Sequence, residues 1–234
     1  MSISKIIVII FLNISCLYSN IIKIDKDTSR IDILSSSKVY LDKTKSKTLE
    51  DIKNLDDSFE PNDKKLLGYG YSPDFDVWVR FDIHNQSDKK LKQIIEYHNP
   101  LTTHISLFDS ASSIAQNEGL LNKLQNRSTL NPIFEIELEP QETKTYYLKA
   151  SSYVTTLIVK LNLWNEKEFY SQEIKHQLIL ALFFGAMVIL ALYNLFIYFV
   201  VKDISYLYYV LYIVGIVLHH LIYVGMANVY LVNQ

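Results

Sequence analysis

Leu178 to Val201 reads LILALFFGAMVILALYNLFIYFVV, 24 residues without a charged side chain. Sixteen of them are Leu, Ile, Phe or Val. Coiled as an α-helix, the run is roughly 36 Å long, enough to cross a hydrocarbon core of about 30 Å with some tilt. Each of those side chains favours insertion by about 0.3–0.6 kcal/mol near the bilayer centre, which together outweighs the one strongly polar residue, Asn194. Only Lys202 and Asp203 separate it from a second uncharged run, Ile204 to Met226. A single helix through both runs would be a rod of roughly 73 Å, far longer than a bilayer is thick. The expectation is therefore a hairpin of two membrane helices, 178–201 and 204–226. Tyr193, Tyr198, Tyr206, Tyr208 and Tyr209 cluster around its turn, as interfacial aromatics do.

At the N-terminus, Lys5 precedes the apolar run Ile6 to Leu12, and small residues follow up to Ser19. That order describes a secretory signal peptide, residues 1–19, whose core is too short to span. A lipoprotein reading at Cys16 is weaker, because Asn13 stands where an aliphatic residue is expected. Export places the segment up to about His176 outside and Lys202-Asp203 in the cytoplasm. One lysine in the turn adds little to this orientation.

The 234 residues carry a net charge of -2, so no basic surface argues for nucleic acid. Cys16 is the only cysteine, which excludes an intrachain disulfide and a cysteine metal cluster. The chain has no His-Glu-x-x-His run, no Gly-x-Ser-x-Gly elbow, no phosphate loop and no dinucleotide-binding glycine pattern. Asp74 and Asp76 would suit calcium only with further oxygen donors. Neither a catalytic residue, a metal site nor a cofactor is expected.

Between leader and hairpin, residues 20–172 read as one all-β domain. Val77, Val79, Phe81 and Ile83 alternate with Trp78, Arg80, Asp82 and His84, the period of a strand. Further strands are expected at Leu91–His98, His104–Phe108, Ile133–Leu138, Thr145–Ala150 and Leu157–Trp164, with turns at Asn85–Asp88 and Glu139–Glu142. Thr48 to Leu55 reads as a short helix or edge segment, and Ser110 to Ser128 as a polar loop. Short strands at this spacing indicate a β-sandwich or jelly roll followed by transmembrane helices from about residue 173 to 234.

Trp78 and Arg80 share one strand face. An indole can stack on a sugar ring and a guanidinium can bind a carboxylate or hydroxyls, although packing and ion pairing compete for both. Tyr69 and Tyr71 in Gly68-Tyr-Gly-Tyr71 are further candidate ligand contacts, or mark a bulge. In the first membrane helix, Asn194 is expected to bond another helix, and Ala181 with Gly185 to allow close approach. In the second, Ser205, Tyr208, Tyr212, Gly215, His219 and Tyr223 fall on one face, a packing stripe or a transmembrane relay with His219 or His220 as its titrating element.

Several of these stretches together resemble a known family. They are Val77-Trp-Val-Arg-Phe-Asp-Ile-His-Asn85, the Pro140 turn before Thr145-Tyr-Tyr-Leu148, Ala191-Leu-Tyr-Asn-Leu-Phe-Ile-Tyr198 and Lys202-Asp-Ile-Ser-Tyr-Leu-Tyr-Tyr209. This series resembles bacterial seven-transmembrane receptors with diverse intracellular signalling modules (7TMR-DISM). The exported part is similar to their second type of extracellular domain, a jelly roll similar to carbohydrate-binding modules. The resemblance implies a multi-pass protein of the bacterial inner membrane with a periplasmic sensor domain. It also implies a small-molecule ligand, a saccharide being the first candidate. Family members have seven membrane helices and an output domain such as a kinase or cyclase. Two helices and no output domain are present here, so the reading is a receptor without enzyme activity of its own that is a fragment of a longer product, a truncated gene or a short protein in its own right, partnered by the bilayer and by further membrane helices or a second copy. A membrane-anchored interaction module or a gene remnant is the alternative.

Overall fold

The structure is a computed structural model that describes residues 21–112, 114–122 and 128–232. The expected signal peptide lies outside the described residues. The 10-residue strand Asp76–Asn85 is the spine of the fold. It pairs antiparallel with Lys38–Asp42 on one side and Thr143–Ser151 on the other, so that Val79 lies opposite both Val39 and Leu148. His104–Asp109 and Ala115–Glu118 extend this sheet at one edge and Glu60–Pro61 at the other, while Ile22–Ile24 adds a short parallel pairing. A second, antiparallel sheet runs in the order Ile133–Leu138, Leu91–Tyr97, Leu161–Asn165, Arg30–Asp32.

The two sheets form a sandwich because alternation buries one face of each. Val77, Val79, Phe81 and Ile83 from the spine meet Ile95, Tyr97, Leu161 and Leu163 from the second sheet in one core. The opposite face of the spine is also covered. Helix α1 (Leu49–Lys53) lays Leu49 and Ile52 over Trp78, together with Phe59 and Tyr147. A capping box starts this one-turn helix: Thr48 Oγ1 accepts from Asp51 N–H at 3.3 Å, and the Asp51 carboxylate accepts from Thr48 N–H at 2.9 Å. Thr48→Ala is expected to cost about 1 kcal/mol, read as a fall in thermal midpoint.

Two expectations change. The alternation from Leu157 to Trp164 is not one strand but two, Thr156–Val159 and Leu161–Asn165. The first pairs with Leu67–Tyr71, whereas the second enters the four-stranded sheet opposite Tyr97. The chain changes partner at Lys160, whose carbonyl accepts from His98 N–H at 2.9 Å. The polar segment after Ser110 is not all loop: Ala115–Glu118 pairs with Ile105–Phe108 as an edge strand. Both of its faces are polar, so it lacks the alternation that betrays a half-buried strand.

The membrane helices are α2 (Glu166–Val201, 36 residues) and α3 (Ile204–Tyr223, 20 residues). Only 17% of the most apolar stretch of α2 and 6% of that of α3 are buried. A soluble protein would cover so much apolar surface; a bilayer covers it here. Lys202 takes a left-handed conformation (φ 61°) to end α2, and the Asp203 carboxylate caps α3 by accepting from Ser205 N–H at 2.8 Å. Helix α2 starts 12 residues before the uncharged run, directly at the end of the Leu161–Asn165 strand. Asn165, the last residue of that strand, caps it by accepting from Lys167 N–H at 3.0 Å.

Candidate functional site

Trp78 and Arg80 share a face, as their spacing implies, but α1 closes it. Trp78 is 1% exposed and stacks on Phe108 with ring centroids 5.7 Å apart. The Arg80 guanidinium pairs with Asp56 at 2.9 Å and Asp82 at 3.5 Å. Asp76 pairs with Lys149 at 3.0 Å and Asp74 with Lys45 at 3.8 Å. Tyr69 packs edge-on against Phe75 and is half-buried, which pushes its phenol up from the ordinary value. Tyr71, two residues on, is 72% exposed. The structure therefore separates the four candidate ligand residues. Trp78 and Arg80 are packed on the spine, whereas Tyr71 stands at the rim of a cleft.

That cleft has a volume of about 580 Å³ and lies between the sandwich and the membrane helices. Tyr71, Pro100, Leu101, Val154 and Ile158 form its upper wall, and His176, Tyr223 and Val224 its lower one. Leu130, His98 and Asn131 line it as well. His176 stands two residues before the uncharged run of α2, and Tyr223 ends α3. The cleft thus lies beside the start of the uncharged run of α2 and the end of α3.

Behind it, the loop 128–131 joins sheet to helix. Asn131 Nδ2 donates to the Glu96 carboxylate at 2.7 Å, and the neighbouring Leu130 N–H donates to the Glu173 carboxylate at 2.7 Å. Glu96 stands on the four-stranded sheet and Glu173 on α2, and both are buried. Glu96 also accepts from Trp164 Nε1–H at 2.8 Å and Asn162 Nδ2 at 3.3 Å, with His98 Nδ1 at 3.3 Å. Burial opposes its charge, but the bonds from His98, Trp164 and Asn131 prevail and hold the carboxyl down at about 2. Gln177 Nε2 donates to Glu173 at 2.8 Å, and Tyr230 O–H donates to Gln177 Oε1 at 3.0 Å. The Leu130 side chain packs among Leu180, Phe184 and Met226. Glu96 and Glu173 were not singled out by sequence reading. The signal for Glu173 is its place on the stripe Phe169, Glu173, Leu180, Phe184, which repeats at helical spacing through the junction.

The membrane residues fall into two groups, those within the hairpin and those that face outward. Asn194 is buried, but its amide donates back to Leu190 O at 2.8 Å within α2 rather than to another helix. Gly185 has nothing within 4 Å of where a Cβ would stand, so the small-residue pair makes no close approach. Tyr208, Tyr212 and His219 face outward from α3, away from α2. It is His220 that packs against α2, with its ring 5.6 Å from Phe183 and 5.9 Å from Phe184.

Comparison with known proteins places these parts. Among solved structures, the C-terminal CBM6 of LamC, a laminarinase from Zobellia galactanivorans, is 10% identical with a TM-score of 0.29, covering 58% of this chain and 99% of that one. A family 35 carbohydrate-binding module from Clostridium thermocellum is 10% identical with a TM-score of 0.30, covering 58% and 98%. TmCBM61 in complex with β-1,4-galactotriose is 12% identical with a TM-score of 0.30, covering 57% and 91%. Likeness at that level transfers no ligand. No curated protein matches the chain. Residues 35–165 match the family described as 7TMR-DISM extracellular 2, and residues 176–234 match 7TM diverse intracellular signalling. The two matches span both the sandwich and the hairpin, and the chain belongs to the 7TMR-DISM family of membrane receptors.

Proposed function

We propose that this chain is the sensing part of a receptor: an exported β-sandwich takes up a small ligand and displaces α2 within the membrane. The signal peptide, the periplasmic placement of residues 20–172 and the multi-pass inner-membrane location belong to this reading, as does a saccharide as first candidate ligand. The chain itself performs no chemistry; transmission is a shift between two arrangements that bind the ligand unequally.

The observation that carries the reading is the continuity of α2. Strand Leu161–Asn165 passes into a 36-residue helix with no intervening loop. A helix of that length is a rod of roughly 54 Å, from the sheet through the bilayer. The Leu130–Glu173 bond ties the same rod to the loop beside Glu96. A movement of this strand is then handed to α2 as a rigid displacement rather than lost in a linker.

The test is hydrogen exchange on the full chain in lipid nanodiscs, against a panel of saccharides, peptides and small acids. A ligand should slow exchange in the strands and alter it at the Leu130 amide and the first turns of α2. Glu173→Ala strips the buried Leu130 N–H of its acceptor. The expected cost is about 1–3 kcal/mol, with faster exchange at that amide while ligand protection of the strands persists. Strand protection with no change at Leu130 or α2 in the unsubstituted chain would overturn the reading.

A further inference from the structure

We infer that the cleft between sandwich and helices binds a neutral, hydroxyl-bearing amphiphile drawn from the outer leaflet. The inference rests on the sensor reading and names its ligand class.

Three observations point to that occupant. The first is depth: His176 and Tyr223 place the mouth at the membrane surface, where an acyl chain can enter without leaving apolar surroundings. The second is the wall. Leu101, Val154, Ile158 and Val224 form an apolar lining, and about 580 Å³ falls within the 300–1,000 Å³ typical of small-molecule sites. The third is charge. Among the described residues that line the cleft there is no lysine or arginine, and the Glu96 and Glu173 carboxylates are bonded to two of its lining residues, Asn131 and Leu130. Glu96 is held ionised by its donors, and the His98 ring on the cleft wall is already engaged by it at 3.3 Å, so an acidic head group would meet a carboxylate whose nearest partner is taken. His98, Asn99, Thr155 and Thr156 offer both donors and acceptors, which suits hydroxyl groups. A free saccharide uses the polar rim but leaves the apolar wall wet. An amphiphile covers both and touches Leu130 and His176, one on each side of the joint.

The test uses the full chain in phosphatidylcholine nanodiscs and three photoactivatable probes of equal chain length: a diazirine monoacylglycerol, a diazirine alkyl glucoside and a diazirine fatty acid. Adducts are mapped by mass spectrometry. The neutral probes are expected to label peptides containing Tyr71, Val154 or Tyr223, and the fatty acid several-fold less. Which neutral probe labels more tells a glycerol head from a sugar head. Val154→Trp fills the cleft from a partly exposed position and should reduce cleft labelling while labelling of the outward α2 residue Phe196 stays constant. Adducts confined to the bilayer-facing sides of α2 and α3, or equal cleft labelling by the acid, would overturn the inference; the mapping on the unsubstituted chain decides this even if the variant misfolds. If instead a free saccharide protects the strands and moves Leu130 while the cleft stays unlabelled, the amphiphile fails and the sensor reading stands. Cleft labelling without any change at Leu130 has the reverse meaning.

Discussion

Acidifying the full chain in detergent from about pH 4.5 to about pH 2 is expected to remove about 3 kcal/mol of stability through Glu96. Its carboxyl sits at about 2 in the folded chain against an ordinary value of 4.5. A group whose folded value is depressed stabilises the fold above its unfolded value and loses that contribution as pH falls through the folded one. The cause is local. Burial opposes the charge, but His98 Nδ1 at 3.3 Å, Trp164 Nε1–H at 2.8 Å and Asn131 Nδ2 at 2.7 Å serve the charged form, and protonation turns one acceptor into a donor facing them. Glu96→Gln makes the same change at every pH. The variant should be the less stable chain at neutral pH, and the gap should close on acidification, since other carboxylates titrate alike in both. Urea unfolding followed by the combined fluorescence of Trp78 and Trp164 reads this, because the Trp164 indole is itself a donor to Glu96. Parallel pH profiles for the two chains would refute the assignment.

Gly225→Val is expected to separate the end of the hairpin from the sandwich. Gly225 lies at φ 84°, a left-handed conformation that a β-branched residue avoids. A Cβ there would collide with the Leu130 carbonyl oxygen and stand 2.8 Å from Pro100 Cβ. Backbone strain and overpacking together amount to roughly 2–5 kcal/mol, and the obstructed partner is the residue whose N–H anchors Glu173. Exchange at the Leu130 amide should accelerate by about a hundredfold, while the Asp76–Asn85 strand, remote from Gly225, keeps its protection. Gly225→Ala should give a smaller effect of the same kind. Unchanged exchange at Leu130 would show that this approach does not hold the joint.

Which parts were readable in advance depends on how many faces of an element are buried by one layer. The spine strand was readable because Val77, Val79, Phe81 and Ile83 all enter one core. Its other face was not, because a short helix from a distant stretch covers Trp78 and no local pattern records that. The two strands either side of Lys160 keep the same alternation, so the change of sheet leaves no mark in periodicity. Glu96 falls in a strand where an acidic residue reads as solvated; its donors Asn131 and Trp164 are 35 and 68 positions away.

The sequence by itself determined the sandwich followed by a membrane hairpin, since alternation and long uncharged runs report burial against a single medium, core or lipid. Only the tertiary structure decided where a ligand can reach. Tyr71 stayed open while Trp78 and Arg80 were covered, and the cleft, the Glu96 cluster and the Leu130–Glu173 joint each needed residues from separate elements. Those sites depend on which surfaces are left over after packing, and hydrophobic patterning along a chain specifies what is buried, not what remains between.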